Sequence, residues 1–336
     1  MAKNNIGLFP VKRGTEVSVD QLRAVNNRVI EDLLDIIKSL FPSLPFPSQP
    51  EEPIEPTTPV IPIGVEATGA EQMWAKNIDG SGVLVGVIDT GIMEHPDLDD
   101  QVSIRRNYTL EFFKPRAEHG THVAGTIAAH GHLMGVAPGA KLAEYRVLNS
   151  FGAGSNSNII KAIRDAADDG CHVINMSLGG PSSDPALEEA INYAYSKGVA
   201  IIAAAGNEGD GKDDTDEISY PAAYANVFSV GSVNYGNDTA VSSFSNTNAE
   251  LDCCAHGERV LSCGPKGKYV ELTGTSMASP HVAGIAALIV SEALTNGESI
   301  APTDIYKKLA AISKDIHTPG RDNATGYGFV TFNESV

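Results

Sequence analysis

The chain has 336 residues, with 24 lysines and arginines against 42 aspartates and glutamates, for a formal net charge of −18. That charge argues against nucleic acid as a main partner, while 42% apolar residues and 33 glycines allow a large core joined by tight turns. No run approaches the roughly 18 uninterrupted apolar residues of a membrane span, and the first thirty residues, which hold Lys3, Lys12, Arg13 and Asp20, lack an apolar stretch of signal-peptide length.

Cys171, Cys253, Cys254 and Cys263 include an adjacent pair that is poorly placed for a disulfide, so reduced thiols and a cytoplasmic location are expected. Residues 1–17 are polar and mildly basic around one apolar cluster, Ile6–Val11. Ser18 and Gln21 form a capping box. Apolar residues then recur at Val19, Leu22, Val25, Val29, Leu33, Ile36, Ile37 and Leu40, which predicts an amphipathic helix within an N-terminal extension, 1–41. Such a stripe needs a surface to cover it: the rest of the chain, a partner, or a second copy in a homodimer. Prolines at 42, 45, 47, 50, 53, 56, 59 and 62 forbid helix and sheet alike and predict an extended linker over 42–64.

From 65 to 336 the texture changes to that of one α/β domain. Val83–Ile88, Leu142–Leu148, Val173–Leu178, Val199–Ala205 and Val227–Val233 are near-continuous apolar runs, as in strands buried on both faces. Helical patterns at His119–Ala129, Ser157–Ala167 and Pro185–Ser196 lie between some of them. This alternation predicts three layers, a central parallel sheet flanked by helices. Functional groups of such sheets gather at the carboxyl ends of the strands. There the chain places Asp89, Ser177–Gly180 and Gly206–Glu208.

The most informative stretch is Leu272–Ala293, where a polar turn runs into a long apolar helix pattern and leaves Ser276 at the helix start. Unpaired N–H groups and the positive helix end favour a developing negative charge there, which makes Ser276 a candidate nucleophile. Asp89 ends a buried strand and needs a hydrogen-bonding partner. A histidine is required to take the serine's proton, and the segment His119-Gly-Thr-His122 offers two that the residue pattern does not separate. Asn207 adds a side-chain amide that can donate to an oxyanion beside the Ser276 N–H.

Asp-Thr-Gly at 89–91, His-Gly-Thr-His-Val-Ala-Gly at 119–125, Ser-Leu-Gly-Gly at 177–180, Ala-Ala-Gly-Asn at 204–207 and Gly-Thr-Ser-Met-Ala-Ser-Pro-His at 274–281 together resemble the subtilisin family of serine endopeptidases. The likeness spans roughly 66–334, with the family's order of Asp, His and Ser. It implies a subtilisin-like fold and a triad of Asp89, His119 and Ser276, with Asn207 as oxyanion donor. Gly206–Gly211 and Ser219–Tyr224 resemble the intracellular branch, whose short N-terminal extension blocks the cleft with a Leu-Ile-Pro-Tyr-like motif. Leu8-Phe9-Pro10-Val11 is the nearest match here. Pro10 has no N–H to pair and makes a poor scissile bond, so inhibition in cis and removal of the extension by self-cleavage are expected.

The substrates implied are proteins or peptides. Ser177, Leu178, Gly179 and Gly180 would pair with an extended peptide through backbone, with Ser219 near the floor of the primary pocket. No organic cofactor is implied. Calcium is: Asp97 matches one ligand position of the family's strong site, although the loop 129–135 is shorter than the family's. A weaker site would combine the carbonyls of Ala222, Tyr224 and Val227 with Asp252.

Overall fold

The computed structural model describes residues 6–18, 21, 59–111, 117–234 and 240–333. The helix expected within 18–41 and most of the proline-rich linker lie outside the described residues. In chain order the strands are β1 (Lys12–Val17), β2 (Leu84–Asp89), β3 (Val102–Asn107), β4 (Lys141–Arg146), β5 (Val173–Met176), β6 (Ala200–Ala204), β7 (Phe228–Val233), β8 (Cys253–His256), β9 (Val260–Cys263) and β10 (Tyr269–Thr273), followed by the two-residue β11 (Ser313–Lys314) and β12 (Phe329–Val330). The helices are α1 (Ile63–Ala67), α2 (Ala70–Trp74), α3 (Glu118–Ala128), α4 (Asn156–Asp168), α5 (Pro185–Ser196), α6 (Thr275–Thr295) and α7 (Pro302–Ile312).

Every residue of β5, β6 and β7 is buried, which explains why these segments read as continuous apolar runs. They lie in a large sheet of order β11-β12-β8-β7-β6-β5-β2-β4-β3, in which only the β11–β12 pair is antiparallel. Helices α3 and α6 join the core on one face. Helices α4 and α5 pack together on the other. The expected three-layer arrangement is therefore present. Helix α6 is long and apolar enough to cross a membrane, but it is the buried core helix of this domain.

Strand β2 sits between β4 and β5. The chain visits β3 and β4 on one side of β2 before crossing to β5 on the other. This reversal opens a crevice at the carboxyl ends of β2 and β5, where open parallel sheets bind ligands.

Two features depart from the sequence expectation. The body begins before residue 65: the Val60 N–H donates to the His132 carbonyl at 2.8 Å, and the Met134 N–H donates to the Val60 carbonyl at 3.0 Å. Proline spacing signals where helix is forbidden, and an extended segment docked on a loop satisfies the same constraint. The polar start of the chain is also ordered by tertiary contact. Strand β1 pairs antiparallel with β10, which pairs with β9, to make a second, three-stranded sheet. Its exposed side chains gave no alternation from which to predict it.

Candidate active site

Asp89, the last residue of β2, is fully buried. Its carboxylate accepts the Thr90 N–H at 2.6 Å, and the Nδ1 of His119 lies 2.9 Å from each of its oxygens. A carboxylate on Nδ1 selects the tautomer protonated there and leaves the lone pair on Nε2. That Nε2 is buried and has no hydrogen-bond partner. The approach of α3 to β2 requires glycine at 120, since a Cβ there would lie 2.3 Å from the Gly91 carbonyl oxygen. The second histidine is settled by geometry. His122 is fully buried, its Nε2 is 2.8 Å from the Val260 carbonyl, and burial pushes its pKa down to about 3. It is a neutral packing residue whose ring is turned to the Val260 carbonyl and not to Asp89.

Ser276 is the second residue of α6 and fully buried. Its Oγ donates to the Ser177 carbonyl at 3.2 Å, and the Ser177 Oγ donates to the Ser276 carbonyl at 2.8 Å. Behind them the Asn175 amide donates to Ser177 Oγ at 3.0 Å and accepts from Ser279 Oγ at 2.6 Å. Sequence reasoning missed Asn175 and Ser279. Their only signal was polarity inside otherwise apolar segments.

Asn207, after β6, is oriented by a residue the sequence reading passed over. The Thr275 N–H and Oγ1 both donate to Asn207 Oδ1, at 2.9 and 2.8 Å. This fixes the amide with its NH2 toward the cleft, where Nδ2 donates to the Pro10 carbonyl at 2.7 Å.

The N-terminal segment thus occupies the crevice. Gly7 exchanges two backbone hydrogen bonds with Gly179, at 3.1 and 3.0 Å. On its other side the Leu8 N–H donates to the Gly152 carbonyl at 2.8 Å and the Gly154 N–H donates to the Ile6 carbonyl at 3.1 Å. The segment is a strand inserted between two loop edges, the mode in which extended peptides are read through their backbone. Phe9 is buried, and a Cβ at Gly179 would meet its ring at 2.5 Å and Ser219 Oγ at 2.7 Å. Of the residues expected to bind substrate, Gly179 pairs with the leader, and Ser219, whose Oγ donates to the Gly180 carbonyl at 3.2 Å, lies beside it, while Ser177 is bonded to Ser276 and Leu178 is buried in the core. The 152–154 edge was not foreseen.

The subtilase family model matches residues 80–328. The chain is a member of the subtilase family. It is 44% identical over 274 residues to the major intracellular serine protease of Bacillus subtilis (strain 168), covering 74% of this chain and 85% of that protein. It is 45% identical over 259 residues to an intracellular serine protease of Paenibacillus polymyxa, covering 74% and 78%. With subtilisin Savinase of Lederbergia lenta it shares 45% identity over 235 residues, covering 68% and 83%. This subtilase is a subtilisin-like serine endopeptidase that acts on proteins.

Its two expected cation sets differ in fit. The carboxylate of Asp97 is already filled: the N–H groups of His132 and Leu133 donate to it at 3.0 and 2.9 Å, and the Tyr269 hydroxyl at 2.7 Å. Its side-chain neighbours are His95 and Cys263. Both His95 ring nitrogens are committed, Nδ1 to the Asp97 N–H and Nε2 to the Lys268 carbonyl, each at 3.1 Å. A hard cation wants six or more oxygens, so this subtilase's Asp97 does not fit calcium. It closes the shortened loop by hydrogen bonds instead. The second set is more open. Tyr224, Val227, Glu250 and Asp252 line one cavity of about 280 Å³. Burial pushes the Asp252 carboxyl up to about 6, and its Oδ2 accepts the Ser229 N–H at 2.9 Å. Arg321 stands 3.7 Å from Oδ1, and the Tyr224 carbonyl already accepts the Val227 N–H at 2.9 Å. All four cysteines are free and buried.

Proposed function

We propose that this endopeptidase is made as a latent form whose residues 6–11 obstruct its own cleft, and that it works through Ser276, His119, Asp89 and Asn207. In the reaction the Ser276 Oγ leaves the Ser177 carbonyl and attacks the substrate carbonyl carbon, while its proton passes to Nε2 of His119. Asp89 holds the ring and stabilises the imidazolium. The carbonyl oxygen becomes an oxyanion held by Asn207 Nδ2 and the Ser276 N–H at the positive end of α6. His119 returns the proton to the leaving nitrogen, the C–N bond breaks and an acyl-enzyme remains. Water repeats the sequence in reverse roles and releases the acid.

The observation that supports latency is a mismatch in the leader. Phe9 is buried beside Gly179 and Ser219, where the primary pocket is expected, yet the carbonyl on Asn207 belongs to Pro10. In a cleavable chain one residue supplies both. The leader holds an extra residue between pocket and oxyanion donor, so no carbonyl carbon is presented at the geometry attack requires. The intracellular names of the relatives and the four buried thiols support a cytoplasmic site of action. Where a calcium ion binds, the reading places it at the Ala222, Tyr224 and Val227 carbonyls with Asp252, not at Asp97. There it would hold the buried carboxylate ionised.

The deciding experiment is intact-mass analysis of the full chain against Ser276→Ala, with fluorophosphonate labelling of both. Loss of an N-terminal fragment and a label on Ser276 in the wild type alone are expected. Equal masses and no label after prolonged incubation would overturn the proposal.

A further inference from the structure

We infer that the edge of β10 vacated by the leader is a subsite for the leaving-group side of the substrate, where Glu118 selects a cationic side chain at the third residue beyond the cut. The inference deepens the protease reading above and rests on it.

Strand β10 has β9 on one side and β1 on the other. Lys12 stands opposite Thr273, Arg13 opposite Leu272, Glu16 opposite Val270 and Val17 opposite Tyr269, with a bulge between Arg13 and Glu16. Without β1, the N–H and C=O groups of β10 form an open sheet edge, a template for any extended chain. This edge begins where the cleft ends. A Cβ placed at Gly274, beside the nucleophile's turn, would meet Val11 at 3.0 Å. A polypeptide threaded past Ser276 is delivered directly onto it.

The edge carries its own charge pattern. Arg13 donates to Glu118, the neighbour of His119, at 3.0 Å, and to Glu16 at 2.8 Å. Farther from the cleft, Lys268 donates to Glu16. The seats thus read acidic first, then basic, and the leader matches them in order. Register follows from the leader's extra residue. Arg13 is fourth after Phe9, but a substrate lacks the mismatch at Pro10, so the residue facing Glu118 is the third after its scissile bond. Arg13 is about half exposed, at 51%, so a modest preference of roughly two- to fivefold is expected.

The test uses the full chain carrying Phe9→Asp and Arg13→Pro, which place a charge beside Gly179 and remove the leader's ion pair to Glu118. Quenched decapeptides with one apolar residue before the cut carry Arg, Gln or Glu three residues after it. The expected order of kcat/KM is Arg over Gln over Glu. It flattens in Glu118→Gln and reverses in Glu118→Lys. An order unchanged by both substitutions, or no order at all, overturns the inference. If no peptide is cut, the protease assignment of these residues fails instead. Fluorescence polarisation then still decides the subsite, because the same peptides should bind the Ser276→Ala form of this chain in the same order. Equal binding of the Arg and Glu peptides overturns it.

Discussion

Ser177 and Ser276, 99 residues apart, hold each other by two hydrogen bonds, each hydroxyl donating to the other's carbonyl. The reason lies one helical turn farther on. Pro280 has no N–H, so the carbonyl of Ser276, four residues earlier, has no intrahelical donor. Ser177 supplies it, and the nucleophile's backbone is thereby tied to the substrate-binding edge. Ser177→Ala should cost about 1–3 kcal/mol, the penalty of an orphaned buried carbonyl. In a Pro280→Ala background the new N–H can fill the gap, so the cost should shrink. A double-mutant cycle by urea denaturation that shows additive effects would refute this account.

Deleting Pro10 should turn the leader from obstruction into substrate. The deletion brings the pocket residue and the carbonyl on Asn207 into register. The expected outcome is a new N-terminus after Phe9, seen by mass spectrometry and absent when Ser276 is alanine. A deletion chain left intact while the wild type processes itself elsewhere would contradict the register argument.

Asn207→Ala should lower turnover by the factor known for the oxyanion asparagine of subtilisin, about 10²–10³. Thr275→Val should follow it at a smaller scale, because it removes one of the two donors that orient the amide. The loss should fall on kcat with KM little changed, since the contact strengthens in the transition state. A Thr275→Val enzyme altered only in KM would show that the threonine does not position Asn207.

His122 predicts an acid limit to stability. Its folded pKa of about 3 lies below the unfolded value near 6.5. The unfolded chain therefore takes up a proton as pH falls below 6.5 and the folded chain does not until about 3. Stability is lost across that window, with a slope of about 1.4 kcal/mol per pH unit for one proton. His122→Gln keeps a donor for the Val260 carbonyl and should flatten the slope by that amount between pH 6 and 4. An unchanged slope would show that the buried imidazole is not responsible.

The two acidic sites should respond to calcium in opposite ways. Asp97→Ala strands two N–H groups and the Tyr269 hydroxyl, and should lower Tm by the same amount in chelator and in calcium. Asp252→Asn should remove any rise in Tm that calcium gives at pH 8. At that pH the buried wild-type carboxylate is ionised at a cost, because a folded pKa raised to about 6 means stability is lost as pH climbs through 6. A calcium-dependent cost at Asp97 would reinstate the ion there.

By itself the sequence determined the parallel sheet and its covering helices, and it singled out Asp89, Asn207 and Ser276 as candidates together with a pair of histidines. Strands buried on both faces must be apolar throughout, and short polar motifs stand out at their ends. Val173–Met176 and Asn207 were legible for that reason. Only the tertiary structure decided between His119 and His122, since both are one turn apart on a helix and the choice depends on which faces Asp89. It alone turned the Asp97 loop into a hydrogen-bonded closure and seated a polar leader as a strand in the cleft. Those outcomes depend on partners more than a hundred residues away: Tyr269 for Asp97, Gly179 and β10 for the leader. A backbone pairing or a single donor from a distant strand leaves no periodic trace in the segment that receives it, because the receiving residues are chosen for one contact and not for a buried face.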